Sequence, residues 1–196
     1  MKRLRNLVTA VALFGTASYV GATGVFSAFS GTTSNPSNTF AAGTVYISDN
    51  DGGSALLALS AGKPADTTTG CIKVTYSGTL DSNVRLYGSV SGSLGTYLTL
   101  TVTRGTDSSP SFSSCTNFTA DATNYIGSGA GVIYNGNLSA YPASYATGLV
   151  DPTSGSPATW STSIAHSYKF VITLQNDNNA QGLSATASFT WEARNT

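Results

Sequence analysis

The feature that most constrains the fold is a strict alternation of apolar and polar residues, clearest at residues 96–105, TYLTLTVTRG. Leu98, Leu100 and Val102 alternate there with threonines. A period of two places successive side chains on opposite faces of a β-strand. The segment therefore predicts a strand with one face in a core and one face in water.

Further segments show the same kind of pattern between turn residues. Residues 71–78 alternate so that Ile72, Val74 and Tyr76 are expected to face the core together. Strands are also expected at residues 43–48, 55–60, 83–90, 166–175 and 183–193, with a hairpin connection for the last two at residues 176–182.

The chain after its N-terminal region is therefore predicted to be all-β. It shows no convincing helical periodicity over ten residues and no repeat of fixed length. Six or more short strands separated by turn residues are typical of a jelly-roll-like antiparallel β-sandwich. Charged residues make up only 9% of the chain, which suits an extracellular domain better than a cytosolic enzyme.

The N-terminus has the composition of an export signal. Three basic residues among the first five precede an uncharged run at residues 7–26. A permanent membrane anchor is the alternative, but small residues dilute the run, and we expect cleavage between Ser27 and Ala28. The predicted organisation is a signal helix at residues 1–27, an extended segment at residues 28–40 and a sandwich domain at residues 41–196.

The balance of charge excludes one class of partner. Removal of the signal leaves six basic and nine acidic residues, a net charge of −3. A basic patch for nucleic acid is therefore not expected. His166 is the only histidine, whereas a catalytic zinc site takes three protein ligands, often two or more of them histidines. We interpret His166 as a polar residue at a strand end and expect no metal, no cofactor and no catalytic residue.

The carboxylates give no clear binding motif. Asp49 and Asp51 stand two residues apart in DNDGG, as at the start of a calcium-binding loop. The glutamate that such a loop carries at position twelve is missing, so a hairpin turn is favoured. Glu192, the sole glutamate, is expected either to face outward or to pair with Arg194.

The two cysteines, Cys71 and Cys115, are an even number in a chain that is expected to be exported. A bridge between them would tie the serine-rich loop around Cys115 to the strand that begins at Cys71. The alternative is two separate buried thiols.

Both ends of the chain resemble the TasA/camelysin family. The stretches that carry the likeness are VFSAFSGTTSNPSNTFAAGTVYIS and NAQGLSATASFTWEARNT. The resemblance implies a jelly-roll domain, cleavage by a SipW-type signal peptidase, and assembly into fibres of a biofilm matrix. It also implies that the mature N-terminal segment adds as a strand to the next subunit. Phe29 and Phe40 would anchor this donor segment, and Pro36 would prevent a helix and limit pairing.

The function expected from the resemblance is that of a secreted, self-assembling structural subunit, located in the extracellular matrix or at the cell surface. Its partners would be other copies of itself, the signal peptidase during export, and a minor anchoring or assembly subunit. One alternative is a camelysin-like secreted metallo-endopeptidase, which the single histidine opposes. Another is a surface glycan-binding module. Its candidate stacking residues are Tyr87, Tyr141, Tyr145 and Trp160, each of which could instead belong to the core.

Overall fold

The computed structural model describes residues 42–153 and 156–196. The expected signal helix, its cleavage site at Ser27 and Ala28, and the donor residues Phe29, Pro36 and Phe40 lie outside this part of the chain. The strands of the described part are β1 (Ile47–Asp49), β2 (Thr67–Tyr76), β3 (Ser82–Ser91), β4 (Leu98–Asp107), β5 (Phe118–Ala120), β6 (Val132–Asn137), β7 (Leu149–Val150), β8 (Pro152–Thr153), β9 (Ser156–Pro157), β10 (Thr159–Trp160), β11 (Ala165–Leu174) and β12 (Thr186–Asn195). Single 3₁₀ turns occur at Ser93–Tyr97, Leu138–Ala140 and Asn178–Ala180.

Ten of the strands form two antiparallel sheets that pack as a sandwich, and β8 and β9 form a separate two-stranded pair. The first sheet has the order β1-β2-β11-β4-β5, with β6 also paired to β4. The second has the order β10-β3-β12, with β7 also paired to β3. The strands β2, β3 and β4 alternate between the sheets, as strands do in jelly rolls. The prediction of an all-β antiparallel sandwich is confirmed.

The core lies between the inner faces of the sheets, where the alternation placed it. Leu98, Leu100 and Val102 are buried, and so are the inward-facing residues of β2. Phe170 of the first sheet and Phe189 of the second meet across the core with ring centroids 4.5 Å apart. Period-two patterning therefore identified the buried faces of β2 and β4.

The strand expected at residues 55–60 is absent, and the segment is a loop. Leu56 and Leu57 are half-buried and pack against the core from outside the ladder. A side chain at Gly70 in β2 would collide with the Leu56 carbonyl oxygen. The apolar run thus covers the end of the core, which requires hydrophobicity but no strand pairing.

The hairpin connection expected at residues 176–182 is also wrong. This segment joins β11 in the first sheet to β12 in the second, and it contains the turn Asn178–Ala180. Asp177 caps the turn by accepting a hydrogen bond from Asn179 N at 2.8 Å. Each flanking strand has one apolar face. These faces pack against each other across the core, so β11 and β12 lie in different sheets and form no backbone ladder with each other.

Cys71 and Cys115 form a disulfide, as predicted, with their Cα atoms 5.2 Å apart. Ser113 reinforces the attachment, because its N–H donates to Cys71 O at 3.0 Å and its carbonyl accepts from Cys71 N at 3.3 Å. Such a bond is typical of an oxidising compartment and is consistent with an extracellular protein. Within the described ranges, no helix has the length and apolarity needed to cross a membrane.

Candidate functional site

A polar cluster is buried at the end of the sandwich where β4 finishes and β11 begins. Its centre is Asp151, which is 3% exposed. Asp151 accepts hydrogen bonds from Trp160 Nε1 at 2.7 Å and from Tyr168 Oη at 2.9 Å. Burial raises the pKa of Tyr168 well above its ordinary value, so its hydroxyl keeps its proton and acts as the donor. We call this group, with Arg104, Asp121 and His166, the Asp151 cluster.

Arg104 supplies the positive charge of the Asp151 cluster. Its side chain is 8% exposed, and its Nε lies 3.1 Å from Asp121 Oδ2 and 3.4 Å from Asp151 Oδ1. These are close ion pairs without the alignment of hydrogen bonds, since Nε and Nη1 have no well-directed acceptor among the described residues. A buried carboxylate is tolerated in the core because a cation stands beside it.

His166 forms the more accessible side of the Asp151 cluster. Its ring packs edge-on against Trp160 with centroids 4.8 Å apart, and its Nε2 lies 3.4 Å from Arg104 Nη2 and 3.7 Å from Asp151 Oδ2. Burial is the main cause that lowers the pKa of His166, Arg104 lowers it further, and the carboxylates of Asp151 and Asp121 oppose both. The imidazole is therefore held neutral, so Nε2 can accept from Arg104.

The lowered pKa of His166 predicts a loss of stability in mild acid. In the unfolded chain a histidine takes up its proton near pH 6.5, whereas the folded protein resists protonation to a lower pH. The contribution of the neutral His166 to stability is thus fully present above about pH 6.5, and it is lost as the pH falls towards the pKa of His166 in the folded protein. We expect the unfolding temperature to decrease between pH 7.5 and pH 5, as followed by circular dichroism.

The variant His166→Gln is the control, because His166 is the sole histidine of the chain. This variant should remove most of the decrease in unfolding temperature between pH 7.5 and pH 5, and leave only the effect of carboxylate titration at lower pH. An equally steep decrease in both proteins would show that His166 is not responsible.

The sequence carries a signal for this cluster that residue type alone does not reveal. Arg104 continues the inward-facing series of β4, two residues after Val102, and lies opposite Tyr168 in the register of the sheet. His166 continues the inward-facing series of β11 in the same way. A charged residue at a core-facing position demands a buried partner, and Asp151 supplies it from a segment without periodicity.

A second feature is an apolar groove along the edge of β12. Among the described residues, β12 has a hydrogen-bonded neighbour only on the side of β3. Beside its first residues lies a cavity of about 410 Å³, lined by Leu56, Leu94, Ile172, Ala187 and Phe189 among others. A smaller cavity of about 170 Å³ follows between β1 and β12. We call the two together the β12 groove.

The backbone of β12 can accept a further strand at this edge. Gly88 N donates to Pro142 O at 2.9 Å, away from β12, so Gly88 and its partner Phe189 form a non-hydrogen-bonded pair. The peptide groups of Phe189 therefore point to the outer edge. By the period of two, those of Ala187 and Trp191 point the same way.

Core packing is incomplete at the same edge. Phe189 and Trp191 face inward and touch Phe170, yet both stay only half-buried. Indole Nε1 of Trp191 is a buried donor without a partner in the described part of the chain. An edge strand with free peptide groups above exposed aromatic surface is the arrangement that proteins usually cover or pair.

The structure moves two of the four candidate stacking residues into the core. Trp160 is fully buried and Tyr141 is 5% exposed, so neither can stack on a glycan. They lie inside because their aromatic surface contributes more in the core, where Tyr141 packs edge-on against Phe189. Tyr87 and Tyr145 are half-exposed on the outer side of the second sheet.

The turn at Asp49 and Asp51 uses its carboxylates internally. Asp49 Oδ1 accepts from Asp51 N at 3.1 Å, and Asp51 Oδ1 accepts from Gly53 N at 2.6 Å. The described residues contain no group of three or more histidine, cysteine or acidic side chains that could hold a metal. Glu192 pairs with Arg194 Nε at 2.7 Å, which was one of its two expected arrangements.

No protein-family model and no curated protein matches this chain. The TasA/camelysin resemblance therefore remains a hypothesis.

Proposed function

We propose that this protein is a secreted structural subunit that self-assembles by strand addition into extracellular matrix fibres, as the TasA/camelysin resemblance implies. The observation that carries the proposal is the β12 groove, where an unpaired strand edge borders an apolar cavity. The groove offers main-chain partners for affinity and pockets for alternate side chains of an added strand. The proposed donor is the segment at residues 28–40 of a neighbouring copy.

The position of the groove favours a head-to-tail arrangement. Thr44 joins the domain at the turn between β2 and β3, where its N–H donates to Thr79 Oγ1 at 2.8 Å. The larger cavity lies by Thr68 and Thr186, at the other end of the ten-residue strands and roughly 30 Å away at 3.3 Å per residue. A donor joined at one end and an acceptor at the other make a heterologous contact, which generates open filaments unless a ring closes.

Ala187→Pro tests the acceptor edge, in protein that begins at Ala28. Proline removes the N–H that points away from β3, so it should block an incoming strand while costing no hydrogen bond to β3. We expect no fibres by negative-stain electron microscopy and a monomer by light scattering. Ala187→Ser is the matched control, because it keeps the N–H and should form fibres as the unaltered protein does.

Two results would contradict the proposal. One is polymerisation of Ala187→Pro at the rate of Ala187→Ser, with both variants folded by circular dichroism. The other is an unaltered mature protein that stays monomeric at high concentration. Protein beginning at Thr39 separates donor from acceptor, since it should fail to polymerise alone while its groove still accepts the segment at residues 28–40 as a peptide.

A further inference from the structure

The outer face of the second sheet is polar along its whole length. Its side chains are those of β3 and β12 that alternate with the core residues, and we call it the β3–β12 face. Ser89 and Ser188 are hydrogen-bonded to each other across the strands at 2.9 Å. Tyr87 stands next in the row, half-exposed, and its hydroxyl donates to Glu192 Oε2 at 2.7 Å. The face thus presents hydroxyl groups beside one held aromatic ring.

Arg194 is fixed on this face in a definite orientation. Its guanidinium carbon lies 3.9 Å from the ring centroid of Tyr145, and its Nε donates to Glu192 Oε1 at 2.7 Å. The side chain is 58% exposed, and its two terminal nitrogens have no hydrogen-bond partner among the described residues. Because this guanidinium is already stacked and oriented, it loses little further conformational freedom when it binds a planar carboxylate by two parallel hydrogen bonds.

The β3–β12 face has a positive net charge, whereas the chain without its signal has a negative one. Arg85 also approaches the Tyr145 ring, at 5.2 Å, so two of the six basic residues that remain after the signal contact a single tyrosine. With Glu192 the group carries a net charge of +1, in a mature chain whose total is −3. Anions are therefore attracted to this face more than to the rest of the surface.

We propose that the β3–β12 face binds acidic polysaccharide. A uronate carboxylate binds the terminal nitrogens of Arg194, an adjacent sugar ring packs on Tyr87, and serine hydroxyls beyond it bond to sugar hydroxyls. The charge complementarity selects an acidic glycan over a neutral one, and the aromatic ring beside the cation selects a sugar polymer over a simple anion. This activity does not require strand addition, because the side chains of the face point away from the core, whereas an added strand would pair with the backbone of β12.

The test measures binding of oligogalacturonate to the folded protein by isothermal titration calorimetry. The fully methyl-esterified oligomer is the neutral matched ligand. We expect the acidic oligomer to bind, the ester to bind at least roughly tenfold more weakly, and added salt to weaken the acidic one. Arg194→Gln should lose roughly tenfold in affinity, as expected for a charge-assisted contact, and Tyr87→Ala should lose a similar factor.

Lys63→Gln is the control for charge, since it removes one exposed cation from a loop outside this face. It should bind as the unaltered protein does. The proposal is overturned if the unaltered protein does not bind, if Lys63→Gln and Arg194→Gln lose affinity equally, or if a DNA oligonucleotide binds as tightly as oligogalacturonate. Arg194 and Tyr87 are surface residues, and matching unfolding temperatures will show that the variants are folded.

Discussion

Replacing Asp151 by asparagine is expected to lower the free energy of unfolding by about 3–5 kcal/mol, as measured by urea denaturation. The carboxylate is 3% exposed and stands beside the buried guanidinium of Arg104. The neutral amide leaves that cation with Asp121 alone. Its single oxygen can accept from only one of the donors Trp160 Nε1 and Tyr168 Oη, because the NH₂ group that replaces the other oxygen is no acceptor. A buried charge with too little compensation is among the costliest defects that a single substitution can produce.

Asp81→Asn is the matched control, because it makes the same chemical change at an exposed residue between β2 and β3. It should stay within about 0.5 kcal/mol of the unaltered protein, as surface substitutions usually do. Similar stabilities for the two variants would show that the Asp151 cluster contributes little. If Asp151→Asn is destabilising as expected, adding Arg104→Met should restore part of the lost free energy of unfolding, since it removes the uncompensated cation.

Removing the disulfide is the second change with a large expected effect. The bond joins residues 44 positions apart. In the loop-entropy model its loss destabilises the protein by about 4 kcal/mol, because the unfolded chain regains the freedom of that loop. We expect Cys71→Ala with Cys115→Ala to unfold at correspondingly lower urea concentration.

The unaltered protein with its bond reduced is the companion measurement. It should match the double variant closely, since Cys71 is a small apolar residue in either form and alanine leaves little empty space. If the free energy of unfolding of the double variant is within about 1 kcal/mol of that of the unaltered protein, the bond reduces the entropy of the unfolded chain only slightly. This is the case for some disulfides whose unfolded state retains structure.

The long strands could be predicted from sequence because a half-buried strand leaves a period-two signal in its own residues. The alternation of Leu98, Leu100 and Val102 with threonines predicts both the strand and its inner face, and all three residues are buried. The apolar run at residues 55–60 was mistaken for a strand because burial alone does not reveal pairing. The connection at residues 176–182 was mistaken for a hairpin because turn residues look the same whether the chain returns to one sheet or crosses to another.

The candidate sites depended on long-range placement, which sequence patterns do not record. Asp151 lies in a short irregular stretch, and only the fold brings it to Arg104 and His166. Sequence patterns left open whether Trp160 and Tyr141 lie at the surface or in the core, because an aromatic residue in a loop-rich segment can belong to either. The groove could not be foreseen either, because it is a property of which strand lies at the edge of the second sheet.

The pairing of β11 has a consequence for how this chain acquires its shape. This strand lies between β2 and β4, so that Cys71 meets Lys169 roughly a hundred residues further along the sequence. A sheet whose central strand is synthesised so late cannot close while the ribosome is still making its first half, and such distant pairings fold in milliseconds to seconds rather than microseconds. The first sheet should therefore stay open until nearly the whole chain has been synthesised.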